Sequence, residues 1–313
     1  MRILVTGGAG FIGSHVVDAY IAAGHQVAVL DNFSTGRESN VNPDAEVYRV
    51  DVREKPEVEK AIASFRPEVV NHHAAQSEVP KSVADPTFDA KVNIVGGINI
   101  LKACADHGVR KVIFSSTGGA LYGEPDIVPA DEDHPVRPLS PYGTSKLSFE
   151  HYLATFQRTF GLTYTVLRYA NIYGARQDFH AEEGRVIAIF ASRMLERKPV
   201  TIDWDGEQSR DMLHVGDVAT ANLAALERGS GGTFHVSTGV AVTINDLFRK
   251  LALITGYDLE PRHGPGRKGD VYRIALDNSR ALHGLGWEPR VSLEEGLSRT
   301  VDYFREQVSA PQT

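Results

Sequence analysis

A tyrosine and a lysine stand four residues apart in Ser140-Pro141-Tyr142-Gly143-Thr144-Ser145-Lys146. Positions i and i+4 share one face of a helix, so Tyr142 and Lys146 can point at the same place. Ser140 and Pro141 suit the cap and first turn of that helix, which sets where it begins. A free phenol titrates at about 10, too high for a base at neutral pH. A neighbouring ammonium favours phenolate and moves the group toward useful base strength. A third hydroxyl is expected at the end of a parallel strand, where ligands of open α/β sheets bind. Ser115-Ser116-Thr117 follows the apolar run Val112–Phe114, and Thr117 is placed to share a hydrogen bond with a substrate oxygen.

Tyr/Lys spacing also occurs on solvated helix faces, so its meaning depends on what accompanies it. Far upstream, Gly7-Gly8-Ala9-Gly10-Phe11-Ile12-Gly13 directly follows the apolar run Ile3 to Val5. Gly7 permits a tight strand-to-helix turn and Gly10 lets backbone approach a pyrophosphate. Gly13 allows the helix to pack closely on the strand, bringing its N-terminal N–H groups to the phosphates. The turn follows a strand, opens a helix and begins a βαβ unit, which is the context a dinucleotide site requires. Asp31 ends the second strand-like run. A carboxylate there accepts bonds from the adenosine ribose and repels a 2′-phosphate, favouring NAD over NADP. Arg37 is the one residue that keeps NADP in play. A cationic nicotinamide beside Tyr142 would further favour phenolate, and the two motifs together imply proton and hydride transfer at one sugar-like carbon.

These residues need a scaffold, and the chain alternates accordingly. Strand-like runs at Ile3–Thr6, Gln26–Leu30, Glu46–Val50, Val69–His72, Val112–Ser116 and Tyr164–Arg168 are separated by amphipathic stretches. The latter include Gly13–Ala23, Lys55–Ser64, Val92–His107 and Ser145–Phe160. Short apolar strands with intervening helices predict right-handed βαβ units in an α/β, Rossmann-type doubly wound parallel sheet. The expected division is an NAD-binding domain over 1–170, with a returning segment near 211–238 that includes Thr233–Ser237. A smaller mixed α/β substrate-binding domain over 171–313 follows, where the pattern turns irregular and rich in loops.

A chain of 313 residues with 42% hydrophobic content can bury a large core. A net charge of −7 gives no support to a nucleic-acid or anionic-membrane partner, which would need a concentrated basic face. No window approaches about 18 uninterrupted apolar residues, so no membrane span is expected. Cys104 stands alone, which excludes a disulfide framework and points to a reducing compartment. Arg2 and a strand leading straight into the glycine turn leave no room for a signal peptide, so the cytoplasm is the expected location. Metal chemistry is not expected: His72 and His73 are adjacent and diverge on a strand, and no paired Cys or His-Glu-x-x-His spacing exists.

The chain resembles the extended short-chain dehydrogenase/reductase family and, within it, the UDP-glucose 4-epimerases. The glycine turn, Asp31-Asn32-Phe33-Ser34-Thr35-Gly36, His72-His73-Ala74-Ala75-Gln76 and Ser115-Ser116-Thr117-Gly118-Gly119 carry the resemblance. So do Tyr142-x-x-x-Lys146, Leu167-Arg168-Tyr169-Ala170-Asn171, Arg210-Asp211 and Arg267-Lys268-Gly269-Asp270. The resemblance implies that Phe11 and Ile12 cover the NAD pyrophosphate and that Asp31, Asn32, Ser34, Thr35 and Gly36 hold the adenosine ribose. It implies adenine contacts from Asp51 and Val52, a floor of Ala74 and Ala75, and further cofactor contacts from Asn93, Ser115 and Tyr169. For a UDP-sugar substrate it implies Thr117, Tyr142 and Asn171, with Arg210 and Arg267 on the diphosphate and Asp270 at the uridine ribose.

The implied activity is inversion at C4 of a UDP-hexose, with Tyr142 as base, Thr117 assisting and Lys146 on the nicotinamide ribose. Related dehydratases and decarboxylases carry carboxylates beside the strand hydroxyl, whereas here Gly118-Gly119 follow Thr117 and no carboxylate comes before Glu124. A non-catalytic NAD-sensing regulator on the same fold often loses the Tyr or Lys, and both are present. The chain departs from the family at Thr117 (commonly Ser), at Ile202-Asp203-Trp204-Asp205-Gly206 in the uracil-binding stretch, at Met212 and at Ser77. Ile274 stands near where a large Tyr in some members excludes N-acetylated sugars. The apolar faces Val92, Val95, Ile98, Leu101 and Phe149, Tyr152, Leu153, Phe156 predict a homodimer through two helices per subunit.

Overall fold

In the computed structural model, which describes residues 1–178, 186–266 and 271–309, the apolar runs become parallel strands. They are β1 (Arg2–Thr6), β2 (Gln26–Asp31), β3 (Glu46–Arg49), β4 (Val69–His72), β5 (Lys111–Thr117) and β6 (Thr163–Tyr169). Three short strands follow, β7 (Asn171–Tyr173), β8 (Thr201–Asp203) and β9 (Ser209–His214). After them come β10 (Gly232–Val236), β11 (Ala241–Thr243) and β12 (Arg262–Gly264). The main sheet runs β10-β6-β5-β4-β1-β2-β3, and every pairing in it is parallel. Strand order reverses beside β1, so the carboxyl ends of β1 and β4 open a crevice where ligands of such sheets bind.

Helices cover both faces because successive side chains of a strand point to opposite sides. Ile3 and Val5 pack on one face with α1 (Phe11–Ala22) and, farther along the chain, Val218 and Ala221. Leu4 between them packs on the other face with α2 (Lys55–Phe65), whose Val58 and Ile62 join that core. Two short helices, α3 (Val79–Ala84) and α4 (Pro86–Ala90), lead into the stretch expected as one helix over Val92–His107. That stretch is instead a π-helical turn, Lys91–Gly96, running into α5 (Gly97–Asp106). The wide turn brings Asn93 inward, where its amide bonds the backbone of Gln76.

The long helix α6 (Pro141–Phe160) begins where its cap residues dictate, with Ser140 Oγ accepting from the Gly143 N–H. Phe149 of α6 lies against Gly97, where an added Cβ would come within 2.3 Å of the ring. A second core gathers α7 (Val186–Leu195), α9 (Ile244–Thr255) and α11 (Leu293–Ser309) around Met194, Leu251 and Phe304. Two more helices, α8 (Val215–Glu227) and α10 (Ser279–Leu285), pack on the main sheet. The small sheets β11-β9-β7 and β12-β8 are separate from the main one, and β7 follows β6 directly after Ala170. Among the described residues no helix is long and apolar enough to cross a membrane.

Candidate active site

Steric necessity shapes the glycine turn. Gly7 has φ +69°, and a Cβ there would lie 2.6 Å from the Ala74 nitrogen. A Cβ on Gly13 would lie 2.2 Å from the Gly7 carbonyl oxygen, so α1 can approach β1 this closely only with glycine. Phe11 and Ile12 stand half-buried at the opening of α1. Asp31, 7% exposed, accepts from the Ala9 N–H at 3.0 Å and the Phe33 N–H at 2.8 Å. Burial raises its pKa against the pull of those two bonds. Gly36 closes over this carboxylate, where an added Cβ would meet both oxygens at 3.1 Å.

Around this rim, the Asn32 side chain accepts from Ser34 and donates to Asp51 at 2.7 Å. Arg53 holds the Asp51 carboxyl down to about 2 by a two-point hydrogen bond. Thr35 is exposed beside Ser34, and Val52 is buried under Gly96. Ala74 and Ala75 are half-buried at the end of β4, the Ala74 N–H bonded to Thr6 Oγ1. Arg37 turns away to an ion pair with Asp178 at 3.0 Å.

The catalytic helix brings Tyr142 and Lys146 to the end of β5. Lys146 is 4% exposed and its Nζ donates to the Ser115 carbonyl at 2.8 Å. The ammonium lies 4.7 Å from the centre of the Phe114 ring and 5.8 Å from that of Tyr142. Burial pulls its pKa down to about 8, opposed by the charges of Asp89 and Glu150. The Thr117 hydroxyl lies close enough to act on the Tyr142 phenol, so the three expected catalytic residues come together.

The phenol departs from the expectation. Burial raises its pKa, Asp89 raises it further, and only the Thr117 bond opposes them. Lys146 does not overcome these effects; its Nζ bonds the Ser115 carbonyl and stands 5.8 Å from the centre of the Tyr142 ring.

Several residues singled out in the sequence sit one layer back. Asn93 is 3% exposed, its oxygen accepting from the Gln76 N–H and its nitrogen donating to the Gln76 carbonyl and Asp89. Tyr169 is buried, its hydroxyl accepting from Asn222 at 2.9 Å. Asn171 faces Gly119, where an added Cβ would lie 3.6 Å from its side-chain oxygen and 4.0 Å from Thr117 Oγ1. Arg210 donates to the carbonyls of Ser209 and Tyr272. Arg267 and Asp270 lie outside the described residues. Ile274, expected near the sugar, is 1% exposed and packs with Leu121, Tyr122 and Leu276.

Two buried carboxylates join the site that spacing did not single out. Glu150, one turn beyond Lys146, accepts from Ser116 at 2.5 Å and grips Arg168 at 3.1 and 2.6 Å. Asp89, fully buried, accepts from Gln76, Asn93 and Ser145. Most of their partners lie far away along the chain, Ser145 being 56 residues from Asp89 and Ser116 34 from Glu150.

This geometry has close counterparts. A UDP-glucose 4-epimerase from Thermotoga maritima, crystallised with UDP-glucose, is 51% identical with a TM-score of 0.97, covering 99% of this chain and 100% of that one. A UDP-glucose 4-epimerase from Thermus thermophilus, in complex with NAD, is 46% identical with a TM-score of 0.92, covering 97% and 99%. The UDP-glucose 4-epimerase of Mycolicibacterium smegmatis is 43% identical, over 97% of this chain and 99% of that one. The model of the NAD dependent epimerase/dehydratase family matches residues 3–237, and the chain belongs to that family.

Proposed function

We infer that this protein is an NAD-dependent UDP-glucose 4-epimerase, interconverting UDP-glucose and UDP-galactose through a 4-keto sugar. The meeting of Tyr142, Thr117 and Lys146 with two glycines after Thr117 carries this reading. A dehydratase or decarboxylase needs a further acid or base beside that hydroxyl. Glu124 is the first carboxylate after Thr117, and it is spent on the backbone N–H groups of Tyr272 and Arg273. Inversion needs only the C4 hydroxyl proton and the C4 hydride, each taken and returned, with no further acid or base.

The residues fit NAD. The turn at Gly7 and Gly13 is a cradle that side chains would fill, and Asp31 stands at the strand end where the adenosine ribose is read. Phe11, Ile12, Asn32, Ser34, Thr35, Gly36, Asp51, Val52, Ala74, Ala75 and Ser115 complete the rim that would hold it. Bound NAD supplies reversible hydride acceptance at the sugar C4. Tyr142 takes the C4 hydroxyl proton and gives it back, Thr117 holds the shared hydrogen bond, and Lys146 supplies positive charge beneath the ring. Asn171 and Arg210 hold the UDP moiety while the keto sugar turns over.

Val95 and Tyr152 support a homodimer, being 50% and 39% exposed on the helices expected to pair. Their neighbours Leu101, Phe149 and Leu153 are spent in the chain's own core, so the contact would be narrower than the sequence pattern implies. Light scattering should give twice the chain mass. The lone, buried Cys104 is consistent with a cytoplasmic location.

The test is incubation with UDP-galactose, UDP-N-acetylgalactosamine or UDP-glucuronate without added NAD, followed by separation of the products. UDP-glucose from UDP-galactose is expected. A 4-keto-6-deoxy sugar or a UDP-pentose would overturn the assignment.

A further inference from the structure

We propose that Asp89 is a positioning residue for the Tyr142/Lys146 pair, clamping the catalytic helix through Ser145 and placing its carboxylate beside the pair. The proposal rests on the epimerase reading for its kinetic consequences but not for its geometry. Asp89 is fully buried, in the five-residue helix that packs beside the start of α6. A carboxylate taken out of water is costly unless donors surround it. Here three side chains do so, with Gln76 Nε2 at 3.0 Å, Asn93 Nδ2 at 2.9 Å and Ser145 Oγ at 2.6 Å.

Those donors come from three separate pieces of the site. Gln76 belongs to the segment leaving β4 beside Ala74 and Ala75, and Asn93 to the π turn. Ser145 lies three residues after Tyr142 and directly before Lys146. One carboxylate therefore ties the floor of the crevice to the helix that carries the base. Asn93 doubles the tie by bonding both backbone groups of Gln76.

The same charge acts on the pair. Burial is the largest influence on both groups, raising Tyr142 and lowering Lys146, and Asp89 raises both. The other titratable or charged groups facing the pair are His72 and His73 from β4, and Glu150 with its partner Arg168. Burial first, then the Lys146 charge, depresses both histidines to about 3, so they are neutral at working pH. Glu150 acts on Lys146 but is itself gripped by Arg168. Asp89 is therefore the carboxylate that acts on both members of the pair. Asp89 thus adds to the effect of burial in keeping the proton on Tyr142.

The experiment is Asp89→Asn, which keeps the shape and removes the charge, beside Ser145→Ala, which keeps the charge and removes the clamp. The phenolate of Tyr142 is titrated in the purified NAD-containing protein by ultraviolet difference spectroscopy, with Tyr142→Phe subtracted. Asp89→Asn should bring phenolate in at a pH lower by about one unit, and the acid limb of kcat/KM should move the same way. Ser145→Ala should leave that titration in place but lower kcat on the order of tenfold, with KM little changed. A titration in Asp89→Asn that superimposes on the parent overturns the proposal. If Asp89→Asn does not fold, Ser145→Ala decides, and parental kcat in that variant overturns it. The titration needs no sugar, so it stands apart from a failure of the epimerase reading.

Discussion

The glycine turn at the end of β1 and the catalytic pair at the end of β5, with β4 between them, are held by different physics. In the turn, backbone meets backbone: the tolerances at Gly7 and Gly13 are set by atoms of Ala74 and Gly7 that cannot rotate aside. In the pair, side chains meet in a dry interior, and the outcome depends on burial and on carboxylates of α4 and α6. The first constraint is steric and short in sequence. The second is electrostatic and long in sequence. Substitutions should therefore fail for different reasons in the two regions: lost cofactor retention in the turn, altered proton handling or helix anchoring at the pair.

The sharpest separation comes from Tyr142→Phe. It should lower turnover by about three orders of magnitude or more while NAD content stays near parental, read by assay and by cofactor release on denaturation. Retained turnover would break the comparison. Next in size is Glu150→Gln, which leaves the Arg168 guanidinium buried without its partner carboxylate. The side chains of this pair are each 8% exposed, and removing one partner of such a pair destabilises by about 3–5 kcal/mol in denaturant unfolding.

Gly13→Ala places a Cβ against backbone that must shift, an effect of about 1–3 kcal/mol with loss of bound NAD. Gly118 and Gly119 give the finest test. An added Cβ at Gly118 meets Leu276 Cδ1 at 2.2 Å, whereas at Gly119 the nearest atom is 3.6 Å away. Gly118→Ala should thus destabilise by about 1 kcal/mol or more, and Gly119→Ala by less than about 0.5 kcal/mol. Equal melting temperatures for the two variants would show that the roof over Thr117 yields freely.

How far the site could be read in the chain follows the same division. Spacing placed Gly7, Gly13, Asp31, Ser140, Tyr142 and Lys146 because each answers to a local rule of turn, cap or helix face. For the third catalytic hydroxyl the strand end offers Ser115-Ser116-Thr117, of which the sequence favours Thr117. The fold gives the first two other uses, the Ser115 carbonyl bonding Lys146 and the Ser116 hydroxyl bonding Glu150, and leaves the Thr117 hydroxyl to act on Tyr142. Asp89 and Ser145 gave no such signal, since their bond joins residues 56 positions apart. The apolar faces expected to form a subunit contact were partly claimed by the core, because periodicity marks a buried stripe without naming what buries it.

The chain by itself determined the alternation of strand and helix, the dinucleotide turn and the presence of a base next to a cation. All of these arise from interactions within a few residues, where backbone sterics and helical period leave little choice. Only the tertiary structure decided the proton affinity of that base. That property comes from burial and from the Asp89 charge, and both exist only once distant segments exclude water from the same small volume.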